Sequence, residues 1–191
     1  MARPLIRVSR VLQQIFPGSF DAVPVDALQV AVDRGNKYHD LAKQICLSVQ
    51  FPEAHPFSES DFPDDVHIIQ AIKKWMAKHG VVPLLIETRL VNLNLNFSGT
   101  PDLICRFRNG WVVVVDFKFT AAIAEANRIQ VVAYSKLVEQ NFPVDRMMIV
   151  KIDPYHGEIT EEIVHKYGNG YWIRFVRGLA DVLNCEVPGG K

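Results

Sequence analysis

The chain is short of most features that mark a protein at a glance. Its 191 residues hold three cysteines, Cys46, Cys105 and Cys185. They lie far apart, which excludes a CxxC metal site and argues against a disulfide framework, so reduced thiols are expected. There is no run of eighteen apolar residues, and the opening MARPLIRVSR carries arginines but no apolar leader core, so a soluble, cytoplasmic protein with no membrane partner is expected. Charge of one sign is also missing: 21 Lys and Arg balance 21 Asp and Glu. No global field then draws a polyanion, and nucleic-acid binding would need a local patch. No G-x-x-x-x-G-K-[ST] occurs, so any ATP-driven motor would be another chain. Internal repeats and low-complexity segments are absent too.

What is present is the composition of an ordinary globular domain, 49% hydrophobic and 22% charged, which excludes disorder as the main state. The length fits a single domain over residues 1–191 with a sizeable core. The first twenty residues hold Arg3, Arg7 and Arg10 and no acid, which reads as a solvated terminus or a DNA-facing arm. From about Asp26 to Val49 the apolar spacing of Leu28, Val32, Leu41 and Ile45 predicts a helix with Gly35 inside. Residues 51–65, FPEAHPFSESDFPDD, carry three prolines, five acids and no Lys or Arg and read as an exposed loop. Asp64 or Asp65 is placed to cap the next helix, which should stop at Gly80. Residues 84–119 then alternate as three strands, and a helix follows from Ala121 to about Gln140. The strand Arg146–Ile152, a short strand EITEEIV and a helix from about Tyr171 to Asn184 complete the pattern. Helix, meander, helix, strand predicts an α/β sandwich with a mixed sheet.

One stretch, residues 99–119, reads GTPDLICRFRNGWVVVVDFKF. Four valines suited to a buried strand run into Asp116 and Lys118, which alternation puts on one face. The position of Asp102 depends on the turn. A two-residue Asn109-Gly110 loop pairs Arg108 with Trp111 and leaves Asp102 opposite Phe117, on the wrong face. A three-residue loop, with Gly110 left-handed, pairs Phe107 with Trp111 and sets Asp102 opposite Asp116. Facing carboxylates repel by roughly 0.2–1 kcal/mol unless a cation lies between them. Hard oxygen donors suit Mg²⁺ or Mn²⁺, and Lys118 would then be placed to hold or deprotonate the water that attacks a phosphate. As a bare pattern, the same charges also read as a surface ion pair.

Pro101-Asp102 followed by Asp116-Phe117-Lys118 resembles the PD-(D/E)XK nuclease superfamily. The wider pattern is similar to its RecB-type exonuclease branch. There a helical R-G-x-x-x-H precedes the hairpin, as in Arg34-Gly35-Asn36-Lys37-Tyr38-His39, and a Q-x-x-x-Y helix follows, as in Gln130 and Tyr134. The resemblance spans residues from about 9 to 140. It implies a restriction-endonuclease-like α/β/α sandwich with a central mixed β-sheet. It also implies a divalent metal, Mg²⁺ or Mn²⁺, held by His39, Asp102, Asp116 and the Phe117 carbonyl. Lys118 would position the attacking water, Glu87 would orient waters or support a second metal, and Gln130 and Tyr134 would steady the substrate or Lys118. Iron–sulfur members of the branch carry four cysteines, so no cluster is expected here.

The implied function is a metal-dependent DNA exonuclease acting on single- or double-stranded ends, of the kind used in phage or prophage recombination, repair or processing. Some such enzymes form rings and work beside single-strand annealing proteins, so a homo-oligomer and an annealing partner belong to the expectation. With net charge zero, the DNA-facing bases would gather at the cleft, and Arg34, Lys37, Arg128, Lys136 and the N-terminal arginines are the candidates. Two alternatives stay open: a structure-specific endonuclease on the same fold, and a non-catalytic DNA- or protein-binding module.

Overall fold

The computed structural model describes residues 4–19, 21–165 and 170–185. Its centre is the valine strand β6 (Val112–Lys118), flanked by β5 (Leu103–Arg106) and β7 (Arg146–Ile152). With β2 (Val82–Ile86) and β8 (Ile159–Val164) these form a five-stranded sheet in the order β2-β5-β6-β7-β8. Only β6 and β7 are parallel, so the sheet is mixed. A parallel pair needs a crossover, which helix α4 (Glu125–Val138) supplies.

Alternation along β6 divides the core. Val113, Val115 and Phe117 pack with Tyr38, Leu41 and Ile45 of α2 (Val25–Gln50) and Ile69, Ile72 and Trp75 of α3 (Val66–His79). Val112 and Val114 pack on the other face with α4, with α1 (Val8–Ile15) and with α5 (Tyr171–Cys185). The result is an α/β/α sandwich. Each fully buried Val contributes about 1.5–3 kcal/mol relative to exposure. The four valines therefore anchor the strand firmly enough to hold a charged end whose desolvation costs several kcal/mol.

The hairpin takes the three-residue loop. Phe107 N donates to Trp111 O at 2.9 Å, Gly110 stands at φ 89°, and the ladder runs from Arg106↔Val112 to Leu103↔Val115. One step further along this register, Asp102 comes level with Asp116. Gly80 ends α3 in the left-handed region at φ 58°, as expected.

Several expectations are corrected. Residues 84–119 form five strands, because the chain turns at Glu87–Arg89 and again at Thr100–Asp102. The pieces so released, β3 (Leu90–Asn92) and β4 (Phe97–Gly99), join β1 (Ile6–Arg7) in a second sheet of order β1-β4-β3. Arg3 lies outside the described residues, and the rest of the basic N-terminal stretch is folded as β1 and α1, with Arg7 and Arg10 left exposed. Ile6, Val8 and Val11 are buried, and these apolar positions outweigh the arginines between them. In α2 the apolar spacing is core-facing only from Tyr38 onward, while Val25, Val30 and Val32 are exposed. Gly35 permits no close approach, since a Cβ there would meet nothing within 4 Å. Asp65 stands at the N-cap of α3 as expected but makes no side-chain capping bond; its buried carboxylate instead lies 2.6 Å from Lys37 Nζ. Residues 51–65 are largely exposed but contain two 3-10 turns, Glu59–Asp61 and Pro63–Asp65, with Phe57 and Phe62 stacked against the core. No helix among the described residues is long and apolar enough to cross a membrane.

Candidate metal centre

At the C-terminal end of β6 the two chain turns and helix α2 bring charged groups together. His39, from α2, presents its ring edge to Phe119, with centroids 5.2 Å apart and planes at 87°. This contact aims Nδ1 at Asp102 Oδ2, 3.4 Å away. Glu87 is held by its backbone, whose N–H donates to the Asp102 carbonyl at 3.0 Å. Its φ of 46° is left-handed, which a residue with a Cβ adopts at a cost of about 1–2 kcal/mol. Among the described residues, His39, Glu87 and Asp102 each offer a donor atom within 4.8 Å of the others, so the group can hold a metal ion. Glu87, read from sequence as an auxiliary acid, thus belongs to the tightest cluster. Asp116 stands beside that cluster rather than within it.

Asp116 is 0% exposed. Lys118 Nζ lies 2.7 Å from its Oδ2 as an ion pair, and no backbone amide of the described residues donates to either carboxylate oxygen. A buried carboxylate served by one ammonium alone is expensive, and a metal cation fits the Oδ1 that Lys118 leaves open. Asp102 is better served, since Oδ2 also accepts from Phe117 N at 2.7 Å. That bond fixes the PD loop to the D-x-K strand.

The titration of the cluster follows from these contacts. Burial pushes Asp116 up to about 6, only partly countered by the Lys118 charge, and the Asp102 charge adds to the rise. Burial would raise Asp102 as well, yet the His39 contact, the Lys118 charge and the Phe117 amide hold it below its usual range. Burial depresses His39, but Asp102 more than offsets this and its pKa stands above normal. Lys118 is likewise raised: burial works against its charge, and Asp116 and Asp102 outweigh it. Glu87 is raised by burial and by Asp102.

The Q-x-x-x-Y pair is assembled as its i, i+4 spacing predicts, with Gln130 Nε2 donating to Tyr134 Oη at 2.9 Å. The Tyr134 ring lies against Gly99, where a Cβ would come 2.7 Å from Cε1, so glycine is required for α4 to close on β4. Tyr134 faces the cluster: burial raises its phenol pKa, and the charges of Asp116, Asp102 and Glu87 add to the rise.

The basic residues expected at the cleft are already engaged. Arg34 donates to the Tyr155 hydroxyl, Lys37 pairs with Asp65, Arg128 grips both oxygens of Glu162, and Lys136 pairs with Glu139. Arg7, one of the N-terminal arginines offered by the sequence, lines a cavity together with a cation that sequence reading missed, Arg89. Arg89 stands two residues beyond Glu87, and that spacing was the available signal.

No family model and no curated protein matches the sequence. The fold is similar to the crystal structure of a "Putative exonuclease" from Eubacterium rectale, with a TM-score of 0.51, 13% identity, and coverage of 95% of this chain and 79% of that one. The structure of SSO0001 aligns with a TM-score of 0.47, 16% identity, and coverage of 96% of this chain and 77% of that one. At such identities the likeness to the Eubacterium rectale protein concerns the fold.

Proposed function

We propose that the chain is a divalent-metal-dependent deoxyribonuclease of the PD-(D/E)XK type, in its RecB-like branch, that hydrolyses phosphodiester bonds from DNA ends. The observation that carries this reading is the fully buried Asp116 carboxylate level with Asp102, paired only with Lys118 of its own strand face, and the His39–Glu87–Asp102 cluster beside it. The named exonuclease activity of a protein with the same fold supports it. His39, Glu87, Asp102 and Asp116 would hold the ion, together with the Phe117 carbonyl, and this carboxylate-dominated set suits Mg²⁺ or Mn²⁺. When bound, the ion supplies Lewis-acid polarisation of a phosphate oxygen and activation of water.

The chain's own residues do the rest. The raised pKa of Lys118 keeps it an ammonium, so it acts as a hydrogen-bond donor and a charge rather than as a base. It orients the attacking water and stabilises charge growing on the phosphate oxygens. Hydrolysis joins the water oxygen to phosphorus and breaks the bond to one sugar oxygen, which leaves with a proton. Gln130 and Tyr134 bound the cleft on the α4 side and restrict how the strand lies across the centre.

The test is incubation of the purified protein with end-labelled linear duplex, linear single strand and closed circular DNA, in Mg²⁺, Mn²⁺ or EDTA, beside Lys118→Ala. Metal-dependent loss of linear DNA alone, abolished in the variant, is expected. Cutting of closed circles would make the enzyme an endonuclease, and inertness of wild type on every substrate would refute the catalytic reading.

A further inference from the structure

Beside the metal centre lies a separate cavity of about 390 Å³, lined among others by Arg7, Ser9, Arg89, Ser98, Thr100 and Tyr134. Three chain junctions meet there. The β1–α1 junction brings Arg7 and Ser9, the parallel ladder sets Arg7 beside Ser98, and the two turns that build the metal centre bring Arg89 and Thr100. Glu87 and Arg89 belong to one turn, and Thr100 and Asp102 to the other. Two residues span at most about 7 Å, so the cavity begins within one or two nucleotide rises of the metal ligands, at about 3.4 Å per nucleotide along a strand.

The chemistry of the lining is that of an anion site. Arg7 and Arg89 make no ion pair or hydrogen bond among the described residues, unlike Arg34, Lys37, Arg128 and Lys136. Ser98 is 1% exposed and lines the cavity, and its hydroxyl makes no hydrogen bond among the described residues. A hydroxyl without a partner, on the residue paired with Arg7 in the ladder and lining the same cavity as Arg89, is half of a hydrogen-bonded site. Guanidinium groups match phosphate oxygens in pairs. Helix α1 also opens at this point, and its first amides favour a negative group.

We infer that this cavity is an anchoring subsite for a second phosphate of the DNA strand, gripped by Arg7 and Arg89, beside the one cleaved at the metal centre. The inference rests on the nuclease reading above and deepens it. A phosphate seated here fixes the strand's direction across Tyr134, and so which side of the scissile bond is held. The phosphate is either a terminal monoester or an internal diester, since both present the same oxygens.

The experiment measures binding, without cleavage, in EDTA. Fluorescent single strands carrying phosphate at the 5′ end, at the 3′ end or at neither, and a closed circular single strand, are titrated at several salt concentrations against wild type, Arg7→Gln and Arg89→Gln. Thermal melting checks that the variants fold. Each substitution is expected to weaken binding and to reduce the slope of log K against log salt by about 0.7, the value for one phosphate contact on a single strand. Loss confined to one phosphorylated end identifies a terminal phosphate, and equal loss on all four strands identifies an internal diester. Unchanged affinity and slope on every strand would overturn the inference. Because this readout needs neither metal nor turnover, it fails separately from the nuclease assay.

Discussion

The two ends of strand β6 are built by opposite rules. At its start, Val112 N donates to Asp145 Oδ2 at 2.8 Å while Asp145 N donates back to Val112 O at 2.9 Å, and the turn before it closes with ordinary hydrogen bonds. At its end, Asp116 is buried with only the Lys118 ammonium beside one of its oxygens, and Glu87 sits in a left-handed conformation. One aspartate is satisfied by backbone, and the other has a single ion-pair partner and no backbone donor. The contrast teaches that the charged end is not a fault of packing, because the same strand is well made fifteen or so ångströms away at about 3.3 Å per residue. That is the arrangement the proposed metal centre requires, and its desolvation cost is offset by the valine core between the two ends.

The sharpest way to break the comparison is Lys118→Ala. Loss of one preorganised donor costs about 10²–10³ in rate, so single-turnover hydrolysis of linear DNA should fall by that factor with the fold intact. A loss under about tenfold would return Lys118 to the role of a surface ion-pair partner.

The next effect is a dependence on pH. The Asp116 pKa of about 6 lies above the ordinary carboxylate value, so the folded protein holds this proton longer than the unfolded chain. In the metal-free protein its share of stability is therefore full at low pH and is lost as pH rises from about 4 to about 6. A metal must compete with that proton. The rise in Tm produced by Mn²⁺ should then be large above pH 7 and shrink as pH falls below about 6. A Tm rise independent of pH would place the ion away from Asp116.

At the satisfied end, Asp145→Ala should destabilise by about 1–3 kcal/mol, because it strands a buried amide, while leaving metal affinity unchanged. Chemical denaturation and metal titration of one preparation check both halves. The smallest effect belongs to Glu87→Gly. Relief of the left-handed strain should stabilise by about 1 kcal/mol and raise Tm by about 2–4 °C, while hydrolysis declines. A variant that loses both stability and activity would show that Glu87 serves packing.

Much of this was legible in the sequence because it rests on short-range rules. The hairpin and its turn were legible from Asn109-Gly110, which left two registers open, and the structure takes the one that brings Asp102 level with Asp116. The strand Arg146–Ile152 and the stop at Gly80 likewise followed from local pattern. The second sheet was hidden, since β1 and β4 pair across some ninety residues and their partnership leaves no local signal. Glu87 was underrated because residues 84–91, LLIETRLV, contain no Gly, Pro, Asn or Asp to mark its turn. Asp65 was placed correctly at the N-cap, but the partner of its carboxylate, Lys37, lies 28 residues away and left no local signal. The cleft bases were misjudged for a related reason: a sequence counts cations but not the carboxylates that fold against them, such as Glu162 on Arg128.

The most direct test of the central claim is calorimetric titration of Mn²⁺ at pH 7.5 into wild type and Asp102→Asn. Saturable binding to wild type that is lost or greatly weakened in the variant is the predicted result. No saturable binding, or equal binding to both proteins, would contradict a metal centre at the charged end of β6.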